Sequence, residues 1–281
     1  IFERGKRYGL VGKNMAGKST LAHIICKLYD PEQGQLEVNG IPYAEFGRQS
    51  IREIVCYASQ NPFLFPGTIG DNIKIGNPYA TDDEVFRAAL SAGILDFSAN
   101  SSSNMRKISS DNELPIFEQE AFHADTKKAT KRQGLRTSRS CGNFSPARLR
   151  NISSLDIGGR ETLRTILDTE VMERGNNLSG GLAQSVALAR VFVRPQAHIV
   201  ILDESIGQMD NHKKKTVIFP HLFEFVEKHN ITLIMISQDM HDIMDLDYIY
   251  VMERGKIVHH GSHEDLLAQN AYSYLQLNEY C

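Results

Sequence analysis

Several features that would indicate other classes of protein are missing from this chain of 281 residues. No apolar run approaches the ~20 residues that a membrane-spanning helix needs, and the longest runs, residues 198–202 and 231–236, have the length of strands. The chain also begins without an initiator methionine or a signal peptide. We therefore expect it to be a piece of a longer polypeptide whose own residues do not enter a membrane.

Cysteine is scarce and follows no pattern. The four cysteines, Cys26, Cys56, Cys141 and Cys281, form no C-x-x-C pair and do not have the spacing of metal ligands. This usage favours a reducing, cytosolic setting with free thiols over a secreted protein held by disulfides.

A strongly basic surface is missing as well. The net charge of −3 is the sum of a basic segment and an acidic remainder. Residues 98–166 contain twelve Lys and Arg against seven Asp and Glu, so the rest of the chain is clearly acidic. Coiled-coil heptads are also absent. We therefore predict no nucleic-acid partner for the ordered part of the protein.

One stretch near the start of the chain has the form G-x-x-x-x-G-K-[ST]. Its glycines let successive backbone N–H groups point at anionic oxygens, Lys18 supplies a cation for the terminal phosphates, and Ser19 offers a hydroxyl to Mg²⁺. A buried strand precedes it and a helix follows, so the dipole of that helix also favours phosphate. The predicted nucleotide-binding residues are Gly12, Lys13, Asn14, Met15, Ala16, Gly17, Lys18, Ser19 and Thr20. The alternative is an ordinary glycine-rich turn between a strand and a helix.

A second motif is the apolar strand 199–202, which ends in two carboxylates, Asp203 and Glu204. Beside a phosphate-binding loop, Asp203 can hold the Mg²⁺ shell and Glu204 can polarise a water for attack on the γ-phosphate. Taken alone, the pair could equally be a surface acidic pair at the end of a strand.

A third motif opens a predicted helix at residues 180–192. It consists of Leu178, Ser179, Gly180 and Gly181, in which the serine hydroxyl and the helix N-terminus could face an anion. Taken alone, it is most simply an N-cap.

Helices and strands alternate through the rest of the chain. We predict strands at 54–58, 232–236 and 248–252 and helices at 85–92 and 212–228, the last with Pro220 inside it. A turn at Asn39 and Gly40 predicts a small antiparallel element, and Thr81 with Glu84 predicts a capping box. The alternation favours a mostly parallel sheet that is covered by helices.

Residues 98–166 are rich in Ser, Arg, Lys and Asn and have weak apolar periodicity. We predict a disordered insertion there, because little apolar surface is available to offset the entropy of ordering. Hydroxyls stand beside basic residues or proline at 106–109, 136–140 and 145–146. The segment is therefore either a site of phosphorylation or a neutral spacer.

Together and in this order, the three motifs resemble the nucleotide-binding domain of the ATP-binding cassette (ABC) transporters. The resemblance covers nearly the whole chain except the insertion. It implies a P-loop NTPase fold of the α/β class, with a mostly parallel sheet, a small antiparallel β element and a helical subdomain that carries the long insertion. The ATPase core would be divided into residues 1–97 and 167–281, separated by the insertion 98–166.

The resemblance also implies residue roles, with ATP and Mg²⁺ as ligands. Glu204 and Gln238 would be catalytic, Gln238 standing where the family has a histidine. Mg²⁺ would be held by Ser19, Gln60 and Asp203, with Gln60 also coupling to the membrane domain. Asp210 would be the D-loop aspartate, and the residues of the signature motif, which contacts the ATP of a partner cassette, would be Leu178, Ser179, Gly180 and Gly181.

Further stretches, at 59–69, 173–181, 255–258 and 261–263, are similar to the exporter branch of the family. This implies an ATP-binding domain at the cytoplasmic face of a membrane, and Gln238 and Met15 predict that it hydrolyses ATP slowly. Its partners would be a second cassette, identical or not, and a transmembrane domain in the same polypeptide. Three departures from the family pattern, Met15, Leu182 and Gln238, favour the alternative of a degenerate cassette that binds ATP as a regulatory or structural partner. A soluble cassette of the DNA-repair or ribosome-associated type is a third, disfavoured interpretation.

Overall fold

The structure is a computed structural model that describes residues 1–95, 157–271 and 273–275. The three predicted phosphorylation stretches and most of the predicted insertion lie outside these residues.

A six-stranded sheet forms the centre of the molecule. In spatial order its strands are Lys256–Gly261 (β10), Tyr248–Glu253 (β9), Arg7–Val11 (β1), Thr232–Ile236 (β8), Ile199–Asp203 (β7) and Val55–Ala58 (β4). Only β10 at the edge is antiparallel to its neighbour, and the other five strands run parallel. The predicted mostly parallel sheet is therefore confirmed.

Both faces of this sheet are buried. Side chains of successive residues point to opposite faces of a strand, so Ile201 belongs to one hydrophobic cluster while Val200 and Leu202 belong to the other. This is why the central strands are apolar without interruption rather than alternating with polar residues.

Helices cover the two faces. Their bounds are Lys18–Ile25 (α1), Arg48–Ile54 (α2), Ile69–Lys74 (α3), Asp82–Ser91 (α4), Ile157–Leu167 (α5), Gly180–Phe192 (α6), Asn211–Lys213 (α7), Phe219–Lys228 (α8), Met240–Ile243 (α9) and His263–Ala268 (α10). The smaller cluster contains residues of α1 and α2, and the larger one contains residues of α3, α4, α6 and α8. Within the described part of the chain, every helix is too short or too polar to cross a bilayer.

Two small antiparallel pairs stand beside the main sheet. Glu37–Val38 (β2) pairs with Ile41–Pro42 (β3) across Asn39 and Gly40, which both have positive φ, so the predicted hairpin is confirmed. Gly67–Thr68 (β5) pairs with Glu170–Val171 (β6), a pairing that the local sequence pattern does not predict.

The predicted helix at 212–228 begins one residue earlier than expected and is not uniform. After α7 the chain makes a π-helical turn over Lys214–Ile218 before α8 begins. Pro220 occupies the first turn of α8, where its missing N–H removes no regular α-helical hydrogen bond.

The predicted disorder does not extend to residue 166, because residues 157–167 form α5. Leu163 is completely buried in the larger cluster, and Ile166 and Leu167 pack against it. The composition of this segment hid the helix, since Gly158 and Gly159 are weak helix formers and tertiary packing supplies the stability.

Candidate functional site

The loop of residues 12–17 connects β1 to α1, and two glycines determine its path. Gly12 has a φ of 150°, and a Cβ there would lie 2.2 Å from the backbone oxygen of Met252. No other residue therefore fits at position 12 without moving β9. Gly17 adopts a left-handed conformation as the N-cap of α1, which lets the helix begin directly at Lys18.

Lys18 is buried within the loop that it follows. Its Nζ donates to the backbone oxygens of Gly12, at 2.7 Å, and Lys13, at 3.1 Å. Burial lowers the pKa of Lys18 from its usual 10.5, while the charges of Glu204 and Asp203 oppose this shift. The ammonium group is thus held in the loop by two neutral backbone oxygens, which an anion could replace as acceptors.

Met15 lies at the tip of the loop and is fully exposed. Its φ is 64°, in the left-handed region that favours glycine. A residue with a Cβ in this conformation carries a cost of roughly 1–2 kcal/mol. The backbone adopts this conformation despite that cost.

The two predicted carboxylates lie at the end of β7 and face different partners. Asp203 is buried, and its Oδ2 accepts a hydrogen bond from the hydroxyl of Tyr57 at 2.9 Å. Glu204 has a φ of 48° and directs its carboxylate into the cleft. Its Oε2 accepts from Nε2 of Gln60 at 2.8 Å.

Gln238 joins the carboxylate to the phosphate-binding loop. Its Nε2 donates to Oε1 of Glu204 at 2.7 Å and to Oδ1 of Asn14 at 2.9 Å. Both oxygens of Glu204 therefore accept a hydrogen bond from a glutamine amide. An ionised carboxylate offers about four lone-pair sites, so room remains for a water to donate to it.

A single cleft of about 370 Å³ unites these groups. Its lining includes the predicted catalytic, metal-binding and nucleotide-binding side chains, and the loop residues 12 and 13 lie beside it as acceptors for Lys18. The lining residues are Asn14, Met15, Ala16, Gly17, Lys18, Ser19, Thr20, Gln60, Asp203, Glu204 and Gln238.

The signature-like residues do not line this cleft. Ser179 is the N-cap of α6, and its hydroxyl accepts from the backbone N–H of Leu182 at 3.3 Å. The side chain of Gln208 lies so close to Gly180 that a Cβ there would be 1.6 Å from Oε1 of Gln208. Gly180 thus lies against the Gln208 segment and not in the lining of the cleft.

Asp210 lines a neighbouring pocket of about 580 Å³, which it shares with Gln60, Glu204 and Gln238. It is the N-cap of α7, where its Oδ1 accepts from the backbone N–H of Lys213 at 3.1 Å. The predicted D-loop residue thus lies next to the cleft but not in it.

Several residues around the cleft were not predicted. Tyr57 donates to Asp203, and Nε2 of His23 lies 3.2 Å from the same hydroxyl. Burial raises the pKa of Tyr57, so the phenol retains its proton and acts as a donor. The sequence signal that could have found Tyr57 is its polar hydroxyl in an otherwise apolar strand, three positions before Gln60.

Gln184 is a further residue near the cleft that the sequence did not predict. Its side chain is buried, donates to the backbone oxygen of Gln60 at 3.1 Å and accepts from the backbone N–H of Gln208 at 2.9 Å. It therefore connects the segment that carries Gln60 to the segment before Asp210. Because its amide is buried and bonded to the backbone of both segments, Gln184 holds them at a fixed distance.

Comparison with known proteins gives a consistent result. A family model described as "ABC transporter" matches residues 1–207. The chain is 28% identical to "ABC transporter H family member 4" of Dictyostelium discoideum and covers 51% of that protein. It is 30% identical to a multidrug export ATP-binding/permease protein of Staphylococcus aureus and covers 36% of it. Both alignments include 97% of this chain, which thus spans about half or less of these relatives.

A solved structure is also similar. It is titled as a bacterial Atm1-family ABC exporter with ATP bound, and it superposes with a TM-score of 0.69 at 27% sequence identity. The match covers 98% of this chain and 37% of the solved one.

Proposed function

The chain belongs to the ABC transporter family, and from this premise we propose that it is the ATP-binding, ATP-hydrolysing domain of an exporter. The observation that carries the proposal is the single cleft in which Lys18, Ser19, Asp203 and Glu204 meet Gln60 and Gln238. Family membership accounts for ATP binding. The presence of both carboxylates beside the loop is what favours hydrolysis.

The phosphates of ATP would bind along residues 12–20. Lys18 would exchange the backbone oxygens of Gly12 and Lys13 for phosphate oxygens, which are stronger acceptors for an ammonium group. The N-terminus of α1 adds its dipole at the same place.

The oxygen donors of the cleft fit Mg²⁺. Ser19, Gln60 and Asp203 would hold it together with the phosphates, and Mg²⁺ would supply charge neutralisation on the transferred phosphoryl group. Among the described residues, no cluster of three His, Cys, Asp or Glu side chains could hold a metal alone. Magnesium commonly binds through one or two carboxylates plus substrate phosphates, so this donor set suits it. The hydrogen bond from Tyr57 would orient Asp203 for this task.

Glu204 would act as the general base. Its carboxylate is oriented by Gln60 and Gln238, and a water between it and the γ-phosphate would transfer a proton to it during attack. Gln238 would contact the γ-phosphate, for which it must give up its hydrogen bond to Asn14 or to Glu204.

The signature-like residues do not line the cleft of their own chain, which supports a role for them in contacts with a second cassette. We expect residues 178–181 to contact the ATP of a second cassette, with Asp210 at the same interface. A transmembrane domain of the same longer polypeptide would pack near Gln60. Phe63 and Phe65 are half-exposed there, with ring centroids 4.9 Å apart, and provide an apolar surface for it. The domain would then work at the cytoplasmic face of a membrane.

The alternative function is a degenerate cassette that binds ATP and hydrolyses little. It is favoured by the strained Met15, by Leu182 in the first turn of α6 and by the neutral Gln238. Both alternatives share the binding step and differ in turnover.

Two substitutions in the full-length transporter test the proposal. Lys18→Ala should abolish MgATP binding, because the γ-phosphate loses its cation, whereas Lys6→Ala on the exposed surface should leave binding unchanged. Glu204→Gln should retain binding and lose turnover. Calorimetry and phosphate release measure the two quantities.

The outcomes separate the two functions. Unchanged affinity in the Lys18→Ala protein would contradict the proposed site. Normal binding with no turnover in the unmodified transporter, and no further effect of Glu204→Gln, would favour the degenerate cassette.

A further inference from the structure

A buried ion pair lies next to the cleft, and none of the binding and hydrolysis steps proposed above assigns it a role. Nζ of Lys214 contacts Oδ1 and Oδ2 of Asp242 at 2.8 and 3.1 Å, and both side chains are 3% exposed. Asp239 adds a second carboxylate at 3.6 Å from the same ammonium group. Burial raises the pKa of Asp242, while hydrogen bonds from Lys214 and Ser237 oppose the shift. Lys214 and Ser237 thus reduce the effect of burial on the pKa of Asp242 without cancelling it.

On one side, the pair fastens the loop that carries Gln238. The hydroxyl of Ser237 donates to Oδ2 of Asp242 at 3.0 Å and accepts from the backbone N–H of Asp239, also at 3.0 Å. Gln238 stands between these two anchored residues. From this loop its side chain reaches Glu204 and Asn14.

On the other side, the pair fastens the segment that carries Asp210. The backbone N–H of Lys214 donates to the backbone oxygen of Asp210 at 2.9 Å. Lys214 is also the first residue of the π-helical turn, a feature that is frequent at functional sites. Asp210, Lys214, Asp242 and Gln238 all line the neighbouring pocket of about 580 Å³.

Stability alone does not account for an ion pair at this depth. The desolvation of two charges offsets most of their attraction, and a well-packed apolar pair is often equally or more stable. What an ion pair adds is a defined geometry, here between two segments that are far apart in sequence and adjacent at the cleft.

We propose that Lys214 is a positioning residue, which through Asp242 and Ser237 couples the Asp210 segment to the loop of Gln238. Movement of the Asp210 segment against a partner cassette would then set the position of Gln238 at the γ-phosphate. The effect on hydrolysis rests on the proposed function, whereas the mechanical coupling does not.

The test uses the full-length transporter with Lys214→Met and Asp242→Asn combined. This double variant removes both buried charges together, and the amide oxygen introduced at position 242 can still accept from Ser237. The matched control is Lys215→Met, which removes an exposed lysine one position away. A further variant, Lys214→Arg, keeps a positive charge opposite the unchanged Asp242. Hydrogen–deuterium exchange of residues 237–243, nucleotide affinity, and KM and kcat for ATP are measured.

We expect exchange at Gln238 and Asp239 to accelerate by about tenfold or more in the double variant, with β8 unchanged. Nucleotide affinity and KM should stay within about twofold, while kcat falls about tenfold. Lys214→Arg should have a higher kcat than the double variant, because a cation still faces Asp242. Lys215→Met should leave kcat unchanged.

Unchanged exchange in the loop of Gln238 would overturn the coupling. Faster exchange with unchanged kcat in an active transporter would overturn the positioning of Gln238 for the reaction. If the unmodified transporter hydrolyses no ATP, the proposed function fails, and the exchange data alone decide whether Lys214 holds the two segments together.

Discussion

At the scale of single residues, Gln238 has the largest expected effect on function. Its amide connects Glu204 to Asn14, and it is neutral. It can donate hydrogen bonds to a phosphoryl oxygen but cannot carry positive charge or relay a proton. The loss of such a group in a transition state commonly costs about 10²–10³ in rate, or roughly 3–4 kcal/mol of barrier.

We therefore predict slow turnover at the site built on this chain's own phosphate-binding loop, with ATP remaining bound for long periods. Gln238→His in the full-length transporter should raise hydrolysis at this site by at least about tenfold. Steady-state phosphate release, with the partner site inactivated, measures the effect.

Met15→Gly is the matched comparison, because it relieves the left-handed strain and leaves the chemistry of the cleft unchanged. If Gln238→His leaves turnover flat while Met15→Gly raises it, the loop conformation limits the rate and our ranking of the two positions is wrong.

At the scale of helices and strands, three of the helices that the structure describes begin with complete capping boxes. In each, a hydroxyl at the N-cap accepts from the backbone of the third helical residue, whose carboxylate accepts from the N-cap in return. The pairs are Thr68 with Asp71, Thr81 with Glu84, and Ser262 with Asp265. These hydrogen bonds lower the pKa of all three carboxylates.

The sign of the pH dependence follows from these shifts. A carboxylate whose pKa is lower in the folded state stabilises the fold above its unfolded pKa, and the contribution is lost as the pH falls through the folded pKa. The midpoint of thermal unfolding should therefore decrease as the pH falls below the ordinary Glu and Asp values of 4.5 and 3.8. Glu84→Gln should show a smaller decrease, because its amide oxygen accepts at any pH.

Glu161→Gln provides the control, since this exposed helical glutamate belongs to no capping box. Equal pH slopes for Glu84→Gln and the unmodified chain would show that the box of α4 does not contribute.

Most of the elements could be predicted because their signals are local. The strand–loop–helix order at residues 7–25, the capping box at Thr81 and the strand before Asp203 each depend on a few adjacent residues, and all three form as predicted. The helix α5 was missed because its stability depends on the burial of Leu163 against distant helices. Tyr57 and Lys214 were missed for the same reason, since their partners lie 146 and 28 residues away in sequence.

At the scale of the whole molecule, the helix α5 within the predicted insertion suggests a pair of deletions. We expect that replacing residues 98–156 by a flexible linker leaves nucleotide binding and thermal stability intact. Replacing residues 98–166 should destabilise the domain by roughly 2–5 kcal/mol, because the buried Leu163 is lost with α5. Calorimetry of ATP binding and thermal unfolding measure both effects.

Loss of nucleotide binding in the shorter deletion would show that residues 98–156 belong to the fold. Equal stability of the two deletions would show that α5 contributes little.

The position of β1 in the sheet has a consequence for synthesis of the protein on the ribosome. This strand, near the start of the chain, lies between β8 and β9, where Tyr8 pairs with Ile234 on one side and Tyr248 on the other. Contacts this distant in sequence fold slowly, because a long loop must close before they form. The phosphate-binding loop that follows β1 therefore has no rigid support until β9, which ends at Glu253, has left the exit tunnel. A nascent chain should gain the ability to bind ATP only after β9 has been synthesised, and until then the apolar strand β1 needs protection from aggregation.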